Sequence, residues 1–278
     1  MFWRGKEGSS NVDDRRGVSG GGLAVGGGIG GVIIALIYMF LGGDPSSLPQ
    51  VSSPGAGGSS NMSAEEKVAD DSLAEFSKVV FKYTEDVWPK LISDYQNPTL
   101  VLFRNGVSTG CGNASAASGP FYCPADQKVY IDLSFFKELR DRFGAPGDFA
   151  MAYVIAHEVG HHIQYLMGTS DKMQEMRSQL SEKEFNKQSV NLELQADFYA
   201  GVWANHAQSM MKILEPGDIE EALTAANAIG DDRLQKQMQG EVVPDAFTHG
   251  TSEQRMYWFK KGFETGDIRQ GNTFQSSR

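Results

Sequence analysis

An uncharged stretch near the N-terminus divides this 278-residue chain into unequal parts. Residues 20–41 contain no Asp, Glu, Lys or Arg, and the last ten of them read VIIALIYMFL. At about 1.5 Å per residue, a helix of this length matches the roughly 30 Å hydrocarbon layer of a bilayer. Eight of these residues are glycine, which helices carry more often in a bilayer than in water. The stretch therefore predicts one transmembrane helix, in preference to a buried helix of a water-soluble domain.

Basic residues on either side of this stretch predict its orientation. The next basic residue after it is Lys67, whereas four precede it: Arg4, Lys6, Arg15 and Arg16. Because cytoplasmic flanks are enriched in Lys and Arg, we expect residues 1–19 to form a cytoplasmic tail and the rest to be exported to a periplasmic or extracellular space. Neither a small-residue cleavage site nor a lipid-anchor Cys follows the apolar run, which favours an uncleaved single-pass anchor over a cleaved signal peptide.

Glycines within the predicted span recur at every fourth position, at Gly22, Gly26 and Gly30. Such a stripe of small residues lets two membrane helices approach closely. A homodimer through this stripe is one interpretation, and simple glycine richness is the alternative.

Residues 42–63 connect the predicted span to the rest of the chain. Fifteen of these 22 residues are Gly, Ser or Pro, a composition that does not build a hydrophobic core. We therefore expect a flexible linker, followed by a single domain over residues 64–278.

The charge balance limits the partners of that domain. The chain has 25 basic and 35 acidic side chains, a net charge of −10 and an isoelectric point near 5.0. A negative field repels phosphate backbones, so nucleic acid is not an expected partner.

Two cysteines, Cys111 and Cys123, flank a loop rich in Gly, Ala and Ser. Their spacing lacks the C-x2–4-C pattern of common zinc sites, and an exported domain lies in an oxidising space. The sequence therefore predicts a disulfide between them, with a metal-binding pair as the alternative.

The strongest chemical signal is an H-E-x-x-H motif in the apolar segment 149–167, which predicts a buried helix. His157 and His161 lie one above the other on one helix face, so that two imidazole nitrogens can bind one zinc ion. Glu158 is placed to act on a metal-bound water without being a ligand. The alternative is a core helix whose histidines are merely hydrogen-bonded. His162 points about 100° away and is expected either to pack in the core or to make a contact at the rim of the site.

A third zinc ligand is sought further along the chain. The extended metzincin motif HExxHxxGxxH is excluded, since Gln164 and Met167 occupy its last Gly and His positions. Segment 191–204 predicts another buried helix, in which Glu193 and Asp197 share one face. Buried carboxylates need a cationic partner, so we assign Glu193 as the third ligand and Asp197 as the acceptor of an N–H from a ligand histidine. A solvent-facing acidic pair is the alternative.

Three segments, HEVGHHIQ, ELQADFYAGVW and HGTSEQR, resemble the bacterial neutral zinc metallopeptidases, membrane-anchored proteins with gluzincin-like active sites. The likeness extends from the N-terminal apolar span to Gly266. The resemblance implies a peptidase that holds one zinc ion per chain through His157, His161 and Glu193 and uses Glu158 as its general base. It says little about the substrate beyond a peptide or protein.

A donor is also needed for the negative charge that develops on the attacked carbonyl oxygen. A similar arrangement of His and Arg after the ligand helix occurs in other gluzincins, and His249 is the preferred candidate, ahead of Arg255, with Tyr130 and Tyr165 behind them. Two other functions remain open at this point, namely a zinc-containing binding or chaperone-like module without turnover, and a zinc amidase that acts on cell-wall cross-links.

Helical patterns dominate the predicted domain. The helices are expected at 64–92, with a Ser63–Glu66 capping box, at 133–143, at the two site segments and at 218–239. Two strands are expected, at 99–104 and 128–133. The fold class predicted is mainly helical α+β, a zincin-like domain with a small sheet whose edge can align an extended peptide.

Overall fold

A computed structural model describes residues 1–17 and 62–275. Within these residues the strands are β1 (Val12–Asp14), β2 (Thr99–Phe103), β3 (Gly106–Thr109), β4 (Gly112–Ser115), β5 (Phe121–Cys123) and β6 (Lys128–Asp132). The helices are α1 (Ala64–Leu91), α2 (Ser134–Asp141), α3 (Asp148–Leu166), α4 (Thr169–Arg177), α5 (Glu182–Met211), α6 (Asp218–Ala228), α7 (Asp231–Gln239) and α8 (Ser252–Thr265). The predicted class, mainly helical α+β with a small sheet, is confirmed.

The larger sheet has the strand order β1-β2-β6-β5, in which only β5 is antiparallel to its neighbour. Successive side chains of a strand point to opposite faces. One face, with Leu100 and Ile131, packs against the helices in the main core. The other face, with Val101 and Tyr130, forms a smaller core that residues of the β3–β4 hairpin cover.

Helix α3 runs through the middle of the domain and is buried along most of its length. It packs against α1, α5 and α6, while α5 also crosses α8 at very short range. A Cβ atom on Gly201 would lie 2.0 Å from the carbonyl oxygen of Phe259, and one on Gly262 would lie 2.1 Å from that of Phe198. Only glycine fits at this crossing, because any side chain would overlap the facing backbone.

The N-terminal segment, residues 1–17, is part of the same folded unit. Its strand β1 pairs with β2, and the side chain of Trp3 is buried in the main core. The predicted division into a tail at 1–19 and a domain at 64–278 is therefore corrected: described residues on both sides of that boundary share one sheet and one core.

Several N-terminal predictions fall on residues 18–61, which lie outside the described residues. They are the transmembrane helix at 20–41, the Gly22, Gly26 and Gly30 dimer stripe, and most of the linker at 42–63. Among the helices of the described ranges, none combines the length and the hydropathy needed to cross a bilayer.

The predicted bounds of α1 and α3 agree closely with the observed ones, whereas α5 extends beyond the predicted segment 191–204 at both ends. Helix α1 begins with the predicted capping box, in which Ser63 and Glu66 bond to each other's backbone N–H. The segment 218–239 is two helices and not one. A Cβ atom on Gly230 would lie 2.4 Å from the backbone nitrogen of Ser252. The helix is interrupted at this glycine, where the backbone contacts the start of α8.

Candidate metal centre

Helices α3 and α5 bring three ligand atoms together. His157 Nε2 lies 3.2 Å from Glu193 Oε2, and His161 Nε2 lies 3.4 Å from Glu193 Oε1. One ligand atom from each residue lies within 4.8 Å of the other two. The three residues that the sequence assigns as zinc ligands are therefore adjacent in space.

Small residues allow the two helices to meet at this point. A Cβ atom on Gly160 would lie 3.0 Å from the carbonyl oxygen of Ala196 and 3.1 Å from its Cα. A larger residue at position 160 would separate α3 from α5. Gly160, one residue before His161, thus sets the distance across which the ligands converge.

Each ligand histidine is held by a hydrogen bond from its second nitrogen. His157 Nδ1 lies 2.8 Å from Asp197 Oδ1, the acceptor that the sequence predicts. His161 Nδ1 lies 2.8 Å from Gln164 Oε1. The amide of Gln164 is oriented by its own donation to the carbonyl oxygen of Leu192. Both Nδ1 atoms thus donate a proton, which leaves both Nε2 atoms to face Glu193.

This donor set fits a zinc ion. In neutral rings, each Nε2 carries a lone pair, and these lone pairs point at an ionised carboxylate. Burial acts to lower the pKa of His157, but the carboxylates of Asp197 and Glu193 outweigh it and raise that pKa to about 10. The cluster therefore attracts positive charge, and two imidazole nitrogens with one carboxylate oxygen are a common ligand set of catalytic zinc.

Glu158 follows the first ligand histidine on α3 and is buried. Burial raises the pKa of its carboxyl group, against the opposing charges of His157 and His161. A raised carboxyl pKa suits a group that accepts a proton and returns it.

Behind the ligands, Asp197 lies in a buried network. Arg255 Nε donates to Asp197 Oδ2 at 2.8 Å, and an η nitrogen of Arg255 donates to Oδ1 at 3.0 Å. The hydroxyl of Tyr153 also donates to Asp197 Oδ1, at 2.5 Å. Arg255 therefore fixes Asp197 and through it His157, and its donors are directed away from the ligand atoms. The predicted role of Arg255 as an oxyanion or substrate donor is corrected to a positioning role.

Tyr153 is a member of this network that the sequence did not predict. A signal is present, because Tyr153, His157 and His161 recur at every fourth residue and so share one face of α3.

We expect Tyr153→Phe to weaken zinc binding by about 10-fold, at the lower end of the 10–100-fold loss typical for residues that orient metal ligands. The substitution keeps the ring and removes only the hydroxyl that donates to Asp197. Competition with a chromogenic zinc chelator measures the change. Tyr95→Phe is the matched control, because its buried hydroxyl has no hydrogen-bond partner among the described residues. Equal zinc affinity of the two variants would contradict a positioning role for Tyr153.

His249 lies in the loop before α8, beside the ligand cluster. Its Nδ1 is 3.2 Å from Asp231 Oδ1, while Asp231 Oδ2 accepts the backbone N–H groups of Thr248, His249 and Gly250. Burial acts to lower the pKa of His249, but the nearby charges of Asp231 and Glu193 outweigh it and raise the pKa. The ring is thus fixed beside Glu193, with its pKa shifted in favour of the protonated form. Asp231, which fixes this loop, was missed at the sequence level.

The two tyrosines predicted as candidate oxyanion or substrate donors make contacts outside the ligand cluster. Tyr130 lies in the smaller core, and its hydroxyl donates to Asp126 at 2.6 Å. The hydroxyl of Tyr165 accepts a hydrogen bond from Gln127 at 3.4 Å. Neither is brought to the ligand atoms by any of these contacts, so the structure gives no support to their predicted role.

Other residues singled out in the sequence are structural. His162 is buried between the hydroxyl of Tyr122 and the carbonyl oxygen of Gln96, and burial lowers its pKa to about 4. Of the two predicted roles, core packing is therefore the one observed. The predicted disulfide between Cys111 and Cys123 is present and ties the β3–β4 hairpin to β5.

Comparisons with known proteins agree with this site. Residues 1–274 match a family model described as "Putative neutral zinc metallopeptidase". The chain is 47% identical over 290 residues to the uncharacterized protein YpfJ of Escherichia coli K12, with both chains fully covered. It is 44% identical over 201 residues to the uncharacterized protein Mb2605 of Mycobacterium bovis. This alignment covers 69% of the present chain and 67% of Mb2605. No solved structure matches.

Proposed function

The chain belongs to the neutral zinc metallopeptidase family, and from that premise we propose that it is a zinc-dependent peptidase that hydrolyses peptide bonds in peptide or protein substrates. The observation that carries this proposal is the convergence of His157, His161 and Glu193, with the buried Glu158 next to the first ligand. A mere binding site has no need of an acid–base group at that position.

A zinc ion bound by these three residues would supply a Lewis acid, which lowers the pKa of water and polarises a carbonyl oxygen. The remaining chemistry falls to the protein. Asp197 and Gln164 hold the two imidazole rings with their Nε2 atoms directed at the metal position. This preorganisation leaves little reorientation of the ligands to occur during the reaction.

Proton transfer is assigned to Glu158. Its carboxylate takes a proton from the attacking water and returns it to the amine that leaves when the peptide bond breaks. The burial that raises its pKa favours the protonated state between these two steps. His249, held in place by Asp231, donates a hydrogen bond to the developing oxyanion.

The full-length protein tests the proposal directly. Zinc content per chain is measured by elemental analysis, and hydrolysis is followed by mass spectrometry on a peptide library derived from a proteome. We expect about one zinc per chain and cleavage that a zinc chelator stops and added zinc restores. A zinc-loaded protein that cleaves no peptide in the library, but does cleave muropeptides, would favour an amidase instead.

We expect His249→Gln to lower kcat by about 100–1,000-fold, the usual loss when one oxyanion donor is removed, while zinc content stays unchanged. Steady-state kinetics on a cleaved library peptide measures kcat and KM separately. His206→Gln is the matched control, because His206 bonds to the carbonyl oxygen of Gly266 and to no predicted ligand in the described structure. A variant with unchanged kcat would remove His249 from the mechanism.

A further inference from the structure

Residues 1–17 complete the edge of the larger sheet. Val12 lies opposite Leu100 and Asp14 opposite Leu102 in a parallel pair. The ladder is continued by hydrogen bonds from Leu100 N to Asn11 O at 3.1 Å and from Arg15 N to Leu102 O at 2.7 Å. Without this segment, β2 would present unpaired backbone groups at the sheet edge.

The segment is also anchored away from the sheet. Trp3 is 7% exposed and meets the ring of Phe76 edge-on at 5.3 Å between centroids. Its indole N–H donates to Asp148, the first residue of the ligand helix α3, at 3.1 Å. Backbone contact to α1 is made where Ser9 N donates to Lys78 O at 2.9 Å. The segment thus contacts the sheet, α1 and the start of α3.

The charges of the segment are matched by the domain. Arg16 forms ion pairs with Asp14 within the segment and with Asp70 and Asp71 on α1. Arg15 pairs with Asp13. These two arginines are half of the basic flank that predicts a cytoplasmic N-terminus, and in the folded protein their charges are paired with carboxylates.

These contacts do not fit a chain that crosses a membrane once between residues 17 and 62. One crossing would leave β1 and β2 on opposite faces of a hydrocarbon layer about 30 Å thick, whereas strands in a sheet lie about 5 Å apart. The polar residues 42–63 offer no second crossing. We propose that residues 1–17 are an integral edge segment of the domain and lie on the same side of any membrane as residues 62–275.

A designed disulfide tests this arrangement in cells. A Cβ atom on Gly8 would lie 3.0 Å from Cβ of Lys78, and natural disulfides join Cβ atoms about 3.5–4.5 Å apart, so a small shift accommodates the bond. The full-length Gly8→Cys/Lys78→Cys protein is treated in intact cells with a membrane-permeant oxidant, and linked peptides are identified by mass spectrometry. We expect a link between positions 8 and 78 in most molecules. The control pair Gly8→Cys/Lys183→Cys should give little.

A second measurement keeps the proposal testable if the designed pair disturbs the fold. Single cysteines replace Ser10, which is exposed, and Lys183, whose side chain is 58% exposed. Both variants are labelled in intact cells with a membrane-impermeant thiol reagent, before and after lysis. We expect the same labelling pattern at both positions. Labelling of one position in intact cells and of the other only after lysis would overturn the proposal. Neither measurement depends on zinc or on peptidase activity.

Discussion

Replacing Glu158 by Gln is expected to leave a folded, zinc-loaded protein whose peptide hydrolysis is about 100–10,000-fold slower, the contribution typical of general acid–base catalysis. Gln keeps the size of the side chain and its hydrogen-bonding oxygen but cannot take up a proton from water at neutral pH. The ligand set is untouched, because His157, His161 and Glu193 are the residues whose ligand atoms converge. Steady-state cleavage of a library peptide and elemental analysis measure the two quantities side by side.

The matched control for this variant is Glu175→Gln, which makes the same chemical change at an exposed position of α4. Its activity and zinc content should equal those of the unmodified protein. Full hydrolysis by the Glu158→Gln variant would remove this residue as the base. Zinc binding by the unmodified protein without any zinc-dependent turnover would instead favour the interpretation that the metal centre belongs to a binding module.

The ligand set is predictable from sequence because helical geometry alone fixes most of it. A spacing of four residues places His157 above His161, and the same spacing places Glu193 above Asp197. Buried carboxylates in the second pair need a cationic partner, and a metal ion held by the histidine pair can supply one. The sequence thus predicts the two pairs and that they contact each other. The distance between their helices is set by the packing of Gly160 on Ala196.

The residues that support the site are less predictable, because their roles depend on contacts between distant segments. Asp231 fixes the loop of His249 from 18 positions away, and nothing in the local pattern distinguishes it from other acidic residues at the start of a helix. For Arg255, the sequence suggests a residue near the substrate. The buried pairing with Asp197 is decided by how α8 packs on α5, which includes the glycine crossing at Gly201 and Gly262.

Strand β1 shows a similar limit in the fold. Its sequence, Val-Asp-Asp, lacks the apolar alternation that indicates a strand, and its partner β2 begins 85 positions after Asp14. The adjoining arginines resemble the basic flank of a membrane span when the sequence is read alone. Only the three-dimensional contacts show that Arg16 pairs with the carboxylates of α1.

His161→Ala is expected to abolish stable zinc binding, and hydrolysis with it. Loss of a residue that only orients a ligand already costs about 10–100-fold in metal affinity, and here one of the three ligands is itself removed. Zinc content after dialysis should fall from about one per chain to near zero. The fold is expected to persist, because the main core is formed by apolar residues of α1, α3, α5, α6 and the sheet, all of which the substitution leaves in place.

The control His206→Ala removes an imidazole from the same helix that carries Glu193, without touching the ligand cluster, and should retain zinc. Circular dichroism of both variants separates metal loss from unfolding. If the His161→Ala variant kept its full zinc content while folded, the assignment of one zinc ion bound jointly by α3 and α5 would be wrong. Because the proposed mechanism has Glu158 act on a water that the ion would activate, the assignment of Glu158 as the base would then fail as well, whatever the outcome of its own substitution.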